Sequence, residues 1–238
     1  MPSSVAKGFA VSNVLIVESK NDKIFLEALI AYMNAEIAVD SPIQIDDYDC
    51  LNGLDPKKVT TSLKALQADA QKKNIRKAGL ILDCDNLSEV ERLAWVNTCL
   101  QAVFGSSIAF NKTQEFVSIA GDNYEFSLAC YFTNVGGQGE LETLLRCIKA
   151  RQSPAADCLS AWQDCWERQA GTSFSPKDFD KFWLAIYLRY DTCSASEQRQ
   201  AGRKCSMAGF DYIMREKREI WNFEAQELDA LKGFLRLF

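Results

Sequence analysis

The chain contains no histidine. That absence removes Ser-His-Asp and Cys-His nucleophile schemes, along with the commonest general base and metal ligand. Any chemistry must run on carboxylates, lysine, tyrosine or cysteine, with or without a metal ion. Cysteine pairs at metal spacing are also missing. The nine cysteines are scattered and odd in number, and no Cys-x-x-Cys occurs. This usage predicts a reducing, cytoplasmic setting with free, mostly buried thiols rather than a disulfide framework or a zinc site. Long apolar runs are lacking: Val14 to Val17 is too short to cross a bilayer and is followed by charge. With no secretory signal either, no membrane is expected. Basic excess is lacking as well. Twenty-seven Lys and Arg stand against 32 Asp and Glu, for a net charge of −5. Such a balance does not advertise nucleic-acid binding, although an acidic metal site needs only a local basic lip. Internal repeats and low-complexity tracts are absent. No Gly-Lys-Ser/Thr follows the glycines at 136, 137 and 139, which excludes a nucleotide P-loop there.

What is present is an ordinary globular composition, 47% hydrophobic and 25% charged over 238 residues. That length suits one large domain or a domain with an appendage. Two short stretches organise the reading: Val14-Leu15-Ile16-Val17-Glu18 and Leu80-Ile81-Leu82-Asp83-Cys84-Asp85. Each is an apolar run of strand length ending in carboxylate. Continuous apolar runs suit strands covered on both faces, as in a parallel α/β sheet. Ligands gather at the carboxyl ends of such strands. If the two strands are neighbours, about 5 Å apart, Glu18, Asp83 and Asp85 converge on one small volume. Hard oxygen ligands of this kind suit Mg²⁺ or Mn²⁺. Cys84, between the two aspartates, should point to the opposite side of the strand.

Residues 1 to 12 read as a loose lead-in. After strand Val14 to Val17, Asn21 or Asp22 caps a helix from Lys23 to Met33. A second strand is expected over Ile43 to Tyr48. Asp55-Pro56 opens a helix reaching roughly Lys73, and Ser88-x-x-Glu91 is a capping box opening another after strand Ala78 to Leu82. This alternation is the rhythm of a parallel sheet. Phe116 to Ile119 and Phe126 to Phe132 flank Ala120-Gly121-Asp122-Asn123, predicting an antiparallel hairpin on the sheet edge. A glycine-rich loop over residues 134–139 leads into a helix from Glu140 to Lys149. Beyond Ser153 the chain reads as helical, with Ser153-Pro154 and Ser175-Pro176 as starts. The aromatic stripes Phe179, Trp183, Ile186, Tyr187, Tyr190 and Trp162, Trp166 are read as core. Residues 192 to 206 are read as an exposed loop or frayed helix. The basic runs at 72–77 and 215–218 are read as solvated faces, or as phosphate contacts if one lies beside the carboxylates. The predicted fold is α/β, with residues 1–150 as a metal-binding domain and 151–238 as a helical extension packed on it.

A glutamate after the first strand and an Asp-x-Asp after a later central strand resemble the Toprim domain of topoisomerases, bacterial primases and OLD (overcoming lysogenization defect) nucleases. The chain resembles more closely a family of small, stand-alone Toprim-like bacterial proteins related to the OLD nucleases. Their opening motif is matched by Val17-Glu18-Ser19-Lys20-Asn21-Asp22 followed by Phe25, with Ser19 replacing the family's glycine. Asp83-Cys84-Asp85 and Gly139-Glu140-Leu141-Glu142 match two further motifs. Ile220-Trp221-Asn222-Phe223 and Leu231-Lys232-Gly233-Phe234-Leu235 match the family's ending. Lys181 falls where that family carries a lysine on its penultimate helix.

The resemblance implies a Mg²⁺- or Mn²⁺-dependent nuclease acting on DNA or RNA, with Glu18, Asp83, Asp85 and Glu142 as metal ligands. Lys181 would stabilise the developing charge. Glu142 also sits in a helix first turn, where an acid is favoured whatever its function. The resemblance further implies a setting in anti-phage defence, with a separate ATPase or sensor protein as partner. A homo-oligomer stays open. The rival expectation is a non-catalytic module whose acidic cluster holds a structural ion or a basic partner.

Overall fold

The computed structural model describes residues 12–40 and 54–238. The strand expected at Ile43 to Tyr48 lies outside them, as does the lead-in apart from Ser12, which already belongs to the first strand. The sheet has five strands: β1 (Ser12–Val17), β2 (Ala38–Val39), β3 (Ile75–Asp83), β4 (Val117–Gly121) and β5 (Tyr124–Thr133). Their order is β2-β1-β3-β5-β4, with every pairing parallel except β4 with β5. The expected edge hairpin is thus present, its two-residue turn Asp122-Asn123 joining β4 to β5. The protein is α/β, as its apolar runs predicted.

Alternation along each strand divides the core into two layers. Leu15, Val17, Ile81, Ala129 and Tyr131 face one side; Ile16, Leu80, Leu82, Cys130 and Phe132 face the other. The second face is covered by α2 (Pro56–Ala70) through Val59, Leu63 and Leu66, and by α3 (Glu89–Phe104) through Val96 and Leu100. The first is covered by α1 (Lys20–Tyr32) and by the helical C-terminal part.

Local chemistry sets the helix starts. Asp55 caps α2, accepting a bond from the Lys57 N–H at 2.8 Å ahead of an N1 proline. Ser88 and Glu91 close the expected capping box on α3. The start of α1 departs from expectation. Ser19, not Asn21 or Asp22, is its cap, and Asp22 at N3 answers with a bond from the Ser19 N–H at 2.8 Å. The reciprocal box satisfies two otherwise orphaned N–H donors, so the helix begins three residues early.

The C-terminal part comprises α4 (Leu141–Cys147), α5 (Pro154–Ala170), α6 (Pro176–Ile186), α7 (Ala201–Lys204), α8 (Phe210–Glu216) and α9 (Asp229–Leu235). Trp221, Phe223, Leu231, Phe234 and Leu235 are all buried, so the tail is docked. Phe234 stacks on Tyr131 of β5, with ring centroids 5.5 Å apart. The last carbonyls are held by Asn13 and Lys77 at the start of β1 and β3. Gly79 of β3 makes this close approach possible: a Cβ there would lie 2.5 Å from Leu15 and 2.7 Å from the Phe238 ring. Gly79→Ala is therefore expected to destabilise by about 1–3 kcal/mol by forcing the tail off the sheet. An unchanged melting temperature for that variant would contradict tight docking.

Two expectations need correction. Trp183 and Tyr187 are core, but Trp162, Trp166 and Tyr190 are 44%, 43% and 63% exposed. The reason is that α5 buries only Ala156, so its tryptophans stack on each other and on Phe174 at the surface. The thiols divide as well. Cys84, Cys99 and Cys130 are free and buried, whereas Cys147, Cys158 and Cys165 are exposed and Cys193 is joined to Cys205. Residues 192 to 206 are the exposed loop of the two alternatives, with short helical turns, and the Cys193–Cys205 disulfide closes it.

A candidate acidic metal site

The ends of β1 and β3 lie side by side because Val17 and Ile81 are register partners. One residue further on, the Glu18 carboxylate accepts a hydrogen bond from the Asp83 N–H at 3.1 Å. The immediate start of α1 then turns Asp22 into the same volume. Glu18, Asp22 and Asp83 are all buried, at 8%, 6% and 9% exposure. Asp85 is re-aimed by a left-handed backbone, φ 53°, which aspartate tolerates better than most side chains. Its main chain exchanges hydrogen bonds with Gly139 at 3.0 and 3.3 Å. Gly139 itself has φ 105°, and a Cβ there would lie 2.7 Å from Thr143 Oγ1. Only glycine fits, and this bridge brings the start of α4, with Glu140 and Glu142, against the Asp-x-Asp turn.

Three cations answer these six carboxylates. Buried Arg92 of α3 donates from Nε to the Asp83 carbonyl at 2.9 Å and from Nη2 to Asp85 Oδ2 at 3.2 Å, and stands 3.7 Å from Glu18. Lys177 of α6 bonds Asp85 at 2.9 Å and Glu140 at 2.8 Å. Lys181 lies one turn on, 3.6 Å from Glu140. Negative charge therefore outnumbers positive, and two oxygens of the cluster are buried with no hydrogen-bond partner: Asp83 Oδ1, and Glu140 Oε1, which stands 3.6 Å from the Lys181 ammonium.

The titrations follow from this. Burial first, then the Asp22 and Glu18 charges, hold the Asp83 carboxyl well above the usual carboxylate range. Burial and Asp22 lift Glu18 to about 7, against the opposing bond from Asp83. Burial raises Asp22 to about 6 despite its bonds with Ser19. Burial and Glu140 raise Glu142 to about 7, partly offset by Lys181. Burial works against the Lys177 ammonium, yet its bonds to Glu140 and Asp85 outweigh it and keep the proton on.

Glu18, Asp83, Asp85, Glu142 and Lys181, all expected from sequence, thus share one cluster. Asp22, expected mainly as a cap, serves as a cap and also faces the cluster. Arg92, Glu140 and Lys177 were not singled out. Only Glu140 carried a signal, lying inside the Gly-x-Leu-Glu motif. The basic runs do not join. Residues 72–77 sit at the opposite end of β3, about 25 Å away at strand rise. Arg218 packs over Tyr32 and Phe223 at the far end of α1.

The donor set is all hard oxygen, a chemistry that suits Mg²⁺ or Mn²⁺, and the orphaned Asp83 Oδ1 is the kind of atom a divalent ion satisfies. Its oxygens are held apart, however. Among the described residues, the group whose ligand atoms all lie within 4.8 Å of one another is Cys193, Glu197 and Cys205. Arg92 and Lys177 stand between the carboxylates in place of an ion. Beside the cluster opens a cleft of about 540 Å³, lined by Asp85, Glu140, Lys177, Gln163 and Phe174.

Fold and site together define an α/β protein with a buried acidic centre at the carboxyl edge of a mostly parallel sheet. The chain belongs to the family described as protein of unknown function (DUF3226), whose model matches residues 12–238. No curated protein and no solved structure matches it. No helix among the described residues is long and apolar enough to cross a membrane.

Proposed function

We propose that this protein is a Mg²⁺- or Mn²⁺-dependent nuclease that hydrolyses phosphodiester bonds at the acidic cluster. The observation that carries the reading is the buried, unpartnered Asp83 oxygen among more carboxylates than nearby cations can neutralise. Glu18 and Asp83 would hold the ion, with Asp85 and Glu142 within reach of a second. A divalent ion there supplies Lewis-acid polarisation of a phosphate oxygen and of water. With no histidine in the chain, proton transfer at the site falls to a carboxylate. Lys181, beside Glu140, is a half-exposed cation suited to stabilising charge that develops on the phosphate.

Nucleic acid as the substrate is supported by the cleft beside the cluster. Its Phe174 wall continues outward into the exposed rings of Trp162, Trp166 and Phe182, surfaces on which unpaired bases stack. The resemblance to stand-alone Toprim proteins supports a role as a defence effector working with a separate ATPase or sensor. The second reading, a non-catalytic module, is favoured by Arg92, whose contacts already neutralise part of the cluster.

Cleavage of a DNA and RNA panel with Mg²⁺ or Mn²⁺, wild type against Glu18→Ala, separates the two. Hydrolysis that needs both metal and Glu18 is expected. Metal binding without hydrolysis, even with the natural partner supplied, favours the module.

Stability gives a second check. Glu18, rising from 4.5 to about 7 on folding, binds more protons when folded than when unfolded. Its stabilising contribution is complete below about pH 4.5 and is lost as pH rises through about 7. Metal replaces those protons. The rise in melting temperature on adding Mg²⁺ or Mn²⁺ should therefore be larger at pH 8 than at pH 5. A metal effect equal at both pH values would place the ion elsewhere.

A further inference from the structure

Far from the acidic cluster, residues 192–217 assemble a second concentration of reactive groups. Cys193 and Cys205, twelve residues apart, are joined in a disulfide. Cys205 is 2% exposed, whereas Cys193 is partly exposed. At the end of α8, buried Lys217 aims its ammonium inward. It donates to the Thr192 carbonyl at 2.8 Å and to Glu197 at 3.1 Å, and lies 3.9 Å from Cys205 Sγ. Glu197 is fixed in turn by the Ser194 N–H and hydroxyl and by Tyr212. The Cys-Glu-Cys grouping superficially suits a soft metal ion. The Lys217 ammonium within it repels a second cation, so thiol chemistry fits the site better.

We infer that Cys193 and Cys205 form a reversible thiol–disulfide pair, opened at Cys193 and directed by Lys217. Exposure decides which sulfur is attacked. A small-molecule thiolate of the glutathione type reaches Cys193, forms a mixed disulfide there, and breaks the bond to Cys205. Cys205 leaves as a thiolate beside the Lys217 ammonium, and a better-stabilised leaving thiolate leaves faster. A second small thiolate attacks the small-molecule sulfur of the mixed disulfide. It releases Cys193 as thiolate and carries away the oxidised small-molecule disulfide. The two electrons gained by the protein are those lost by the two thiols. Closure runs the same steps backward, with a small-molecule disulfide as oxidant. The pair also reconciles a disulfide with the reducing setting that the cysteine pattern predicts.

The test uses the full chain with Cys50, Cys147, Cys158 and Cys165 replaced by Ser, oxidised and then exposed to reduced glutathione without denaturant. Alkylation and intact-mass measurement count the opened thiols over time. The pair is expected to open in the folded protein. Lys217→Gln should open several-fold more slowly, because the departing Cys205 thiolate loses its neighbouring positive charge, and Lys217→Arg should restore the rate. Glu197→Gln, which removes the carboxylate charge that competes with the sulfur for Lys217, should open faster than wild type and serves if Lys217→Gln does not fold. Opening only after unfolding would overturn the inference. So would wild-type rates in folded Lys217→Gln or in Glu197→Gln, or isolation of the pair as zinc-bound thiols.

Discussion

Asp83→Asn is expected to abolish metal-dependent cleavage while raising the melting temperature of the metal-free protein at alkaline pH. The two effects share one cause. Asp83 is buried with an unpartnered oxygen, and its neighbours Asp22, Glu18, Glu142 and Glu140 all act to keep its proton on. Asparagine keeps the shape and cannot ionise, so at alkaline pH it removes the buried charge that Asp22 and Glu18 would repel. Relief of an uncompensated buried charge is worth about 1–3 kcal/mol, a gain of several degrees in a chain of this size. The same change removes an anionic ligand. Loss of the several kcal/mol that a metal contributes to a phosphoryl transition state corresponds to about a thousandfold or more in rate. Cleavage rates and melting curves, taken with and without Mn²⁺, read both effects. A variant that still cuts at a tenth of the wild-type rate would remove Asp83 from the machinery. Lower metal-free stability would mean that its charge is compensated in the folded protein.

Arg92→Met should act in the opposite direction. Arg92 is 4% exposed, bonded to the Asp83 carbonyl and to Asp85, close to Glu18, and stacked over Trp95 at 4.8 Å. Methionine fills much of the volume but leaves Glu18 and Asp85 facing one another without the guanidinium. Breaking a buried ion pair from one side costs about 3–5 kcal/mol, because the remaining charge stays desolvated. The loss should be greatest at pH 8. At pH 5, below the raised value of Glu18, that carboxyl is protonated and has less need of a cation. Mn²⁺ should restore part of the stability at pH 8 by standing in for the missing charge. Equal melting temperatures for wild type and Arg92→Met at pH 8 would show Arg92 to be dispensable to the cluster.

Much of the architecture was legible because it depends on near neighbours. The apolar runs at 14–17 and 78–82 are strands because both faces are covered, and each ends in acid. Asp55-Pro56, Ser88 with Glu91, and Ser175-Pro176 start helices as expected, since a cap needs only the next three residues. The misreading of α1 came from the same source. Ser19 and Asp22 both have capping chemistry, and the reciprocal bond that favours Ser19 depends on backbone geometry. The two-residue segment β2 has too little pattern to be seen, and it is a strand only because β1 offers it an edge.

The aromatic stripes expose a different limit. Helical spacing gives Trp162 and Trp166 a common face, but whether a face is covered depends on what the fold brings to it. Among the described residues, the face of α5 that carries the two tryptophans meets the rings of Phe174 and Phe182, and Trp162 and Trp166 stay exposed.

Sequence by itself determined the sheet, its acidic strand ends and the capped helices that follow them, because periodicity and capping act within a few residues. Only the tertiary structure decided how those acids are charged. Lys177 is 92 residues from Asp85, Arg146 is 34 from Asp180, and Lys217 is 12 from Cys205. Which cation meets which carboxylate or sulfur, and which oxygen is left alone, is set by the packing of separate elements. Burial then strengthens those few encounters, so the site's electrostatics belong to the fold rather than to any one segment of the chain.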